Sequence, residues 1–251
     1  MKYLLLIWLF ATRPAWAWHW VWFSPHNPAN SIKRHVNRLE EYDKHHISLD
    51  DVVEKVSGAP GHHVQQMLLE AEAVRVGTSS EGTAISPAFD ASPELAKLCY
   101  CLVRLVKPST VVETGVGRGV TTYHILSALR MNDTGGLYSV ELPTLRLGAR
   151  KKTGELVPTS LRSNWTLIFG PAEREIKKRS KELQELDMFI HDSNHTYLNQ
   201  VTEYRLALNM LNKGGILVSD DVDNDAFIEV CEEFGSQMMI VEQSKNRWIG
   251  V

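Results

Sequence analysis

Thr110-Val111-Val112-Glu113-Thr114-Gly115-Val116-Gly117-Arg118-Gly119-Val120-Thr121-Thr122 carries the most informative pattern in the chain. It reads as a short buried strand, a glycine turn and the start of a helix. The apolar run is β-branched, as suits a strand covered on both faces of a parallel sheet. Three glycines at alternate positions let the backbone turn sharply and let a ligand lie against it. The next helix presents free N–H groups towards that ligand. A dinucleotide fingerprint needs G-x-G-x-x-G, and the sixth position counted from Gly115 is Val120, so an NAD-binding dehydrogenase is disfavoured.

What stands here instead is Glu113-x-Gly115-x-Gly117-x-Gly119, which resembles the first motif of class I S-adenosylmethionine (SAM) methyltransferases. The resemblance implies a cofactor site at Glu113, Thr114, Gly115, Gly117 and Gly119. A carboxylate suits the ammonium or sulfonium end of a cationic amino-acid ligand, and the glycines admit its carboxylate and ribose. Taken alone, the motif is also compatible with an ordinary tight strand–helix turn.

Outward from this stretch the pattern is regular. Ser92 as N-cap and Pro93 in the first turn open a helix through Leu105. From Thr110, strands are predicted at 110–114, 137–141, 164–169, 186–191, 214–220, 236–242 and 246–250, with helices between the first six. The last two are joined by only Ser244-Lys245, so they pair as an antiparallel hairpin. The expected fold is α/β: a Rossmann-like, seven-stranded, mostly parallel sheet with helices on both faces, a terminal antiparallel hairpin and additional N-terminal helices. Upstream, residues 24–30 read as a linker and 31–57 as one charged helix, broken by Gly58-Ala59-Pro60-Gly61. A second helix is predicted over 62–76, and 77–91 is a small, polar loop of the kind used as a lid, or a disordered one. The organisation expected is a leader at 1–23, a helical or lid region at 24–91 and a catalytic domain at 92–251.

The strand Leu137-Tyr138-Ser139-Val140-Glu141 ends in an acid. In nucleoside-binding α/β folds a carboxylate here can hold both ribose hydroxyls, which makes Glu141 the ribose candidate. The long stretch Leu142 to Ser163 carries Arg146, Arg150, Lys151, Lys152 and Arg162; it reads as a solvated charge run, with a clamp for an anionic substrate as the alternative. Pro143, Gly154-Glu155-Leu156-Val157-Pro158, Leu161-Arg162 and Trp165-Thr166-Leu167-Ile168 resemble the family-24 type of methyltransferase. That type usually carries Gly-Asp-Ser after this strand. Here Gly170-Pro171-Ala172 stands instead, so Gly170 and Ala172 are implied at the adenine end without the familiar acid.

The most specific chemistry lies further on, in Asp187-Met188-Phe189-Ile190-His191-Asp192-Ser193-Asn194-His195 and Gly214-Gly215-Ile216-Leu217-Val218-Ser219-Asp220-Asp221. Both strands end in carboxylates, and neighbouring parallel strands bring their carboxyl ends together at the ligand crevice. Asp192, Asp220 and Asp221 can thus converge on one hard divalent cation such as Mg²⁺. Without a cation, three close carboxylates repel one another. His195, three residues after Asp192 and near a helix start, is kept neutral there and is the candidate general base. His191 stands as an alternative or additional ligand. The D-x-x-H and D-D pair resembles metal-dependent sugar and natural-product O-methyltransferases and the cephalosporin hydroxylase group. The resemblance covers about residues 92–235 and leaves the first hundred residues outside it.

Composition narrows the classes. The 251 residues suit one sizeable α/β domain with additions, and a net charge of −3 with a pI near 6.4 gives no footprint for nucleic acid. The three cysteines, Cys99, Cys101 and Cys231, form no C-x-x-C pair and suggest thiols in a reducing compartment. The leader conflicts with that. An apolar run from Tyr3 to Phe10 and a small-x-small Ala15-Trp16-Ala17 have the layout of a secretory signal. Five of the seven tryptophans lie at Trp8, Trp16, Trp18, Trp20 and Trp22, which suits a monotopic membrane anchor equally well. An over-extended start or an arm packed on a partner subunit are the bland readings. A SAM enzyme belongs with its cofactor, so the domain itself argues for the cytoplasm.

Together these readings predict a SAM-dependent, Mg²⁺-assisted O-methyltransferase acting on a hydroxyl of a sugar or small natural product, with Asp192 and His195 as the catalytic pair. The rivals are a cephalosporin-hydroxylase-like tailoring enzyme and a silent, membrane-tethered scaffold of the same fold. A homo-oligomer is compatible with either.

Overall fold

The computed structural model describes residues 2–32, 37–76, 85–142, 148–244 and 247–251. Its strands are β1 (Thr110–Thr114), β2 (Gly136–Glu141), β3 (Trp165–Phe169), β4 (Leu186–His191), β5 (Leu211–Ser219), β6 (Ile240–Ser244) and β7 (Arg247–Gly250). They form one sheet in the order β3-β2-β1-β4-β5-β7-β6. β1 to β5 are mutually parallel, and β7 runs antiparallel to both β5 and β6. The chain winds outward from β1 in one direction to β3, then returns to start β4 on the other side of β1. That reversal opens a crevice at the carboxyl ends of β1 and β4, where ligands bind in open α/β sheets. The seven-stranded, mostly parallel sheet with a terminal antiparallel pair is the architecture expected from the strand spacing.

The helices are α1 (Lys2–Thr12), α2 (Pro14–Trp22), α3 (Pro28–Ile32), α4 (Leu39–His45), α5 (Leu49–Ser57), α6 (Gly61–Ala73), α7 (Pro93–Val106), α8 (Val120–Asn132), α9 (Ala149–Lys152), α10 (Ala172–Lys178), α11 (Tyr197–Met210) and α12 (Ala226–Phe234). α7 starts as its sequence implies: Ser92 Oγ accepts the Leu95 N–H at 3.1 Å and Pro93 occupies the first turn. Side chains alternate between the two faces of the sheet. Met188 and Ile190 of β4 pack with Leu98, Leu102, Ile125 and Leu129 of α7 and α8 on one face. Phe189 between them packs with Tyr204 and Phe227 of α11 and α12 on the other. Each such side chain contributes about 1.5–3 kcal/mol relative to exposure. Val52 and Val53 of α5 and Val64 and Met67 of α6 belong to the first of these cores. The three cysteines are free and buried.

Three local expectations are corrected. The single helix over 31–57 is interrupted, because His46 forms a parallel bridge to Ile240 and the Ile47 N–H reaches the Ile240 carbonyl at 3.0 Å. Ser48 then caps α5 through the Asp51 N–H. Residues 24–30 contain the start of α3 rather than a bare linker, with Asn27 Oδ1 accepting the Ala29 N–H at 3.1 Å. No long crossover helix joins β2 to β3 among the described residues; α9 and a 3₁₀ turn at Thr159–Asn164 make the connection. Pro143, Arg146, the first part of the 77–91 loop and the Lys245-Asn246 link between β6 and β7 lie outside the described residues.

Candidate active site

The glycine turn, the β2 end and the ends of β3, β4 and β5 border a cavity of about 580 Å³. That is within the ordinary range for a small-molecule site. Gly115 must be glycine on two counts: its φ is +82°, and a Cβ there would sit 1.9 Å from the Asp192 carbonyl oxygen. The same close approach puts the first turn of the glycine loop directly beside the β4 end. Gly117 also has a positive φ, of +52°. Gly119 serves a different purpose. A Cβ on it would meet Val157 Cγ2 at 2.9 Å and Gly154 Cα at 3.1 Å, so it admits the 154–157 turn rather than bordering the cavity.

Glu141 lies on the cavity wall, and its Oε2 accepts the N–H groups of Val116 (2.7 Å) and Gly117 (3.0 Å). Burial pushes its carboxyl above the usual range, and these two backbone donors oppose that. The β2 acid is thereby locked to the glycine turn. Gly170 and Ala172 border the same cavity, with Gly170 at φ +153° and its N–H on the Glu141 carbonyl.

Glu113 and Thr114 are placed otherwise than expected. Glu113 is fully buried behind the turn, where Thr122 Oγ1 (2.8 Å) and Ser139 Oγ (2.6 Å) donate to its carboxylate. It does not border the cavity, and burial raises its pKa to about 7 against the relief from those hydroxyls. Thr114 Oγ1 donates to Glu203 Oε2 at 2.5 Å and is likewise behind the wall. The reason is the pleat. Side chains of a central strand project onto the helix layers, and only the backbone beyond the strand end faces the crevice.

At the β4 and β5 ends, Asp192, His195 and Asp220 place one ligand atom each within 4.8 Å of the others, the arrangement found among the described residues that can hold a metal ion. His195 Nε2 is 3.9 Å from Asp192 Oδ1 and 3.7 Å from Asp220 Oδ2. That nitrogen is buried and has no hydrogen-bond partner among the described residues, which is the mark of a missing ligand or proton. Burial raises the Asp192 carboxyl well above its usual value, and the Asp220 charge adds to that. Asp220 is raised by burial, and burial lowers His195. Two carboxylates and a neutral imidazole facing one point fit a divalent cation.

Asp221, expected as the third carboxylate, is taken by other partners. Arg247 pairs with its Oδ2 and Gln243 Nε2 donates to its Oδ1 at 2.9 Å. Asp221 Oδ2 also lies 3.5 Å from His195 Nδ1, so it stands behind the imidazole. His191 lies beside the cluster, its ring 5.6 Å from that of His195: its Nδ1 meets Glu203 Oε2 at 2.9 Å, while its Nε2 is buried without a partner among the described residues.

Glu203 was not singled out from the sequence. It is buried on α11 and accepts from Thr114, His191, Ser193 (3.1 Å) and Asn199 (3.1 Å), tying β1, β4 and the following loop together. Burial works to raise its carboxyl, but His191 and the Thr114 hydroxyl outweigh it and hold the pKa below normal. The available signal was Asn199, Gln200 and Glu203 sharing the core-facing side of α11 with Tyr204 and Ala207. The basic stretch is partly structural. Arg162 donates to the Gly154 and Val157 carbonyls, and Arg150 lies over the Phe169 ring at 4.6 Å.

The first residues of the chain also reach the site. His19, Trp20, Phe23 and Pro25 border the cavity. Asn194 Nδ2 (2.7 Å) and Thr196 Oγ1 (3.2 Å) donate to the Phe23 carbonyl, and the Leu198 N–H donates to Asn30 Oδ1 at 2.9 Å. No helix among the described residues is long and apolar enough to cross a membrane.

Comparison with known proteins agrees with this geometry. A family model described as "Methyltransferase domain", of the family-24 type, matches residues 112–222. No curated protein matches the chain. Among solved structures, the fold is similar to an O-methyltransferase from Bacillus cereus in complex with SAH (TM-score 0.50, 16% identity, 80% of this chain and 94% of that one). It is similar to the O-methyltransferase TomG from Streptomyces achromogenes, involved in tomaymycin synthesis and in complex with SAM (0.51, 16%, 74% and 94%). It is also similar to a precorrin-6y C5,15-methyltransferase from Geobacter metallireducens (0.52, 15%, 70% and 97%). At these identities the structural likeness concerns the fold, and the family match makes residues 112–222 similar to a methyltransferase domain of the family-24 type.

Proposed function

We propose that the protein transfers a methyl group from SAM to a hydroxyl oxygen of a small molecule, assisted by a divalent cation, Mg²⁺ being the first choice. The observation that carries this reading is the convergence of Asp192, His195 and Asp220 on the cavity that Gly115 and Glu141 also border. Glu141, backed by the Val116 and Gly117 N–H groups, would hold the ribose; the backbone at Gly115 and Gly117 would lie along the amino-acid part, and Gly170 and Ala172 near the adenine. The bound cofactor supplies a sulfonium-linked methyl group, and its in-line displacement forms a C–O bond as the S–C bond breaks. Asp192 and Asp220 would hold the cation, whose charge favours the alkoxide form of an acceptor hydroxyl. His195 takes the hydroxyl proton at Nε2. Asp221 beside Nδ1 favours the tautomer that leaves Nε2 open, and burial keeps the ring neutral. His195 Nε2 also lies close enough to serve as a nitrogen ligand; bound so, it would not be free to take the proton, and Mn²⁺ would compete with Mg²⁺.

The test is calorimetric titration of S-adenosylhomocysteine into the full chain, with Mg²⁺, with Mn²⁺ and with chelator, alongside Glu141→Gln. Binding by the wild type and weakening of about tenfold to a hundredfold in Glu141→Gln are expected, since a hydrogen bond to a charged group is worth about 1.5–3 kcal/mol. A folded protein that binds no S-adenosylhomocysteine refutes the methyltransferase reading and favours a scaffold.

A further inference from the structure

The α1–α2 hairpin is apolar on two sides, and the cavity accounts for one of them. On the inner side, Ala17 is fully buried, while Trp20 and Phe23 border the cavity. On the outer side, Trp18, Val21 and Trp22 are exposed, as are Ile7, Trp8 and Phe10 of α1. The three outward indoles are 52% (Trp8), 61% (Trp18) and 57% (Trp22) accessible, a concentration far from that of a single surface aromatic. Helices apolar all round need a second apolar neighbour. At 11 and 9 residues, α1 and α2 are too short to span a bilayer, which takes about 20 residues. They suit lying within its interface, where tryptophan is enriched.

Charge identifies the surface. Residues 1–39 contain no Asp or Glu, yet include Lys2, Arg13, Lys33, Arg34 and Arg38. In sequence, the segment that carries the hairpin therefore has a basic surplus, with Arg13 between α1 and α2, while residues 40–251 are net acidic. An anionic bilayer attracts a segment of that charge. We propose that the outer face of α1 and α2 docks on an anionic lipid surface, holding the methyl-transfer cavity at that surface. The docking itself stands on the hairpin; the word methyl-transfer rests on the function proposed above. The acceptor class this serves is an amphiphile whose hydroxyl-bearing head enters beside Trp20 and Phe23.

The experiment is co-sedimentation of the full chain with vesicles of phosphatidylcholine alone or mixed with phosphatidylglycerol, beside a combined Trp8→Ser, Trp18→Ser, Trp22→Ser variant. S-adenosylhomocysteine binding is measured on the same samples. The wild type should pellet with the anionic vesicles, less with the neutral ones, and less as salt rises. The variant should keep its S-adenosylhomocysteine affinity and lose vesicle partitioning by about a hundredfold or more. Wild-type protein that binds S-adenosylhomocysteine yet stays in the supernatant overturns the proposal. So does a wild-type dimer that the variant dissociates without any vesicle binding, which would make a second copy the occupant. Vesicle binding without S-adenosylhomocysteine binding supports the docking and strikes only the function proposed above.

Discussion

Glu113 provides the sharpest quantitative test of the site's construction. Its carboxyl is fully buried and raised to about 7 from an ordinary value of 4.5, so the folded state binds this proton more tightly than the unfolded chain. Stability from that proton is complete below the unfolded pKa and disappears as pH rises through the folded one. The loss runs over the interval between the two values and amounts to about 3 kcal/mol at 1.36 kcal/mol per pH unit. Glu113→Gln keeps the shape and removes the titration. Its amide nitrogen cannot accept from either hydroxyl, whereas both oxygens of the protonated acid can, and Ser139 Oγ already takes the Trp165 indole N–H at 2.9 Å. The variant is therefore expected to be somewhat less stable than wild type at about pH 5, and to close or reverse that gap at about pH 8. Urea unfolding of both proteins at the two pH values reads this directly. A wild-type-minus-variant difference constant to within about 0.5 kcal/mol would refute the buried-proton reasoning. Because Glu113 lies behind the turn, S-adenosylhomocysteine affinity should change by less than about threefold; a larger loss would place its carboxylate in the ligand site after all.

Gly115→Ala should abolish S-adenosylhomocysteine binding and cost about 3 kcal/mol or more, because its Cβ would fall 1.9 Å from the Asp192 carbonyl at a φ of +82°; calorimetry and a melting curve check both. Glu203→Ala leaves the buried Thr114, His191 and Asn199 donors and the partly buried Ser193 without their acceptor and should destabilise by about 3–5 kcal/mol, read by urea unfolding, with Glu203→Gln clearly milder. Mg²⁺ or Mn²⁺ in hundredfold excess over Kd should stabilise the wild type by about 2.7 kcal/mol in a thermal-shift assay. Asp220→Asn should remove that response while S-adenosylhomocysteine still binds; an undiminished shift in the variant argues against the Asp192, His195 and Asp220 site.

The strands from β1 to β5 were legible because each is a short β-branched or aromatic run closed by a glycine, a proline or an acid, and parallel central strands are apolar on both faces. Boundaries moved where a distant partner intervened. His46 leaves the helical path to pair with Ile240, nearly two hundred residues along the chain, and no local pattern near His46 announces that. Site residues divide in the same way. Gly115, Gly117, Glu141, Gly170, Ala172, Asp192, His195, Asp220 and Asp221 border one cavity. Glu113, Thr114 and Gly119 belong to the same motif but serve the wall behind it.

Local sequence is thus enough to set the order of strands and helices and the polar residues delivered to the carboxyl edge of the sheet. Both follow from short-range rules, since period, glycine conformations and strand termini are properties of a few adjacent residues. Which of those polar groups face one another is settled by packing. Asp221 is one peptide unit from Asp220, and Gln243 of the terminal hairpin donates to both, yet Arg247 claims Asp221 alone, and His195 takes its place opposite Asp192. The same holds for the leader. Read locally, Trp16 to Phe23 is part of a tryptophan-rich leader; in the fold, the Phe23 carbonyl is held by Asn194 and Thr196 beside the cluster. Hydrogen-bond partners far apart in the chain are chosen in the folded state, because burial makes an unpaired polar group costly whichever segment supplies the match.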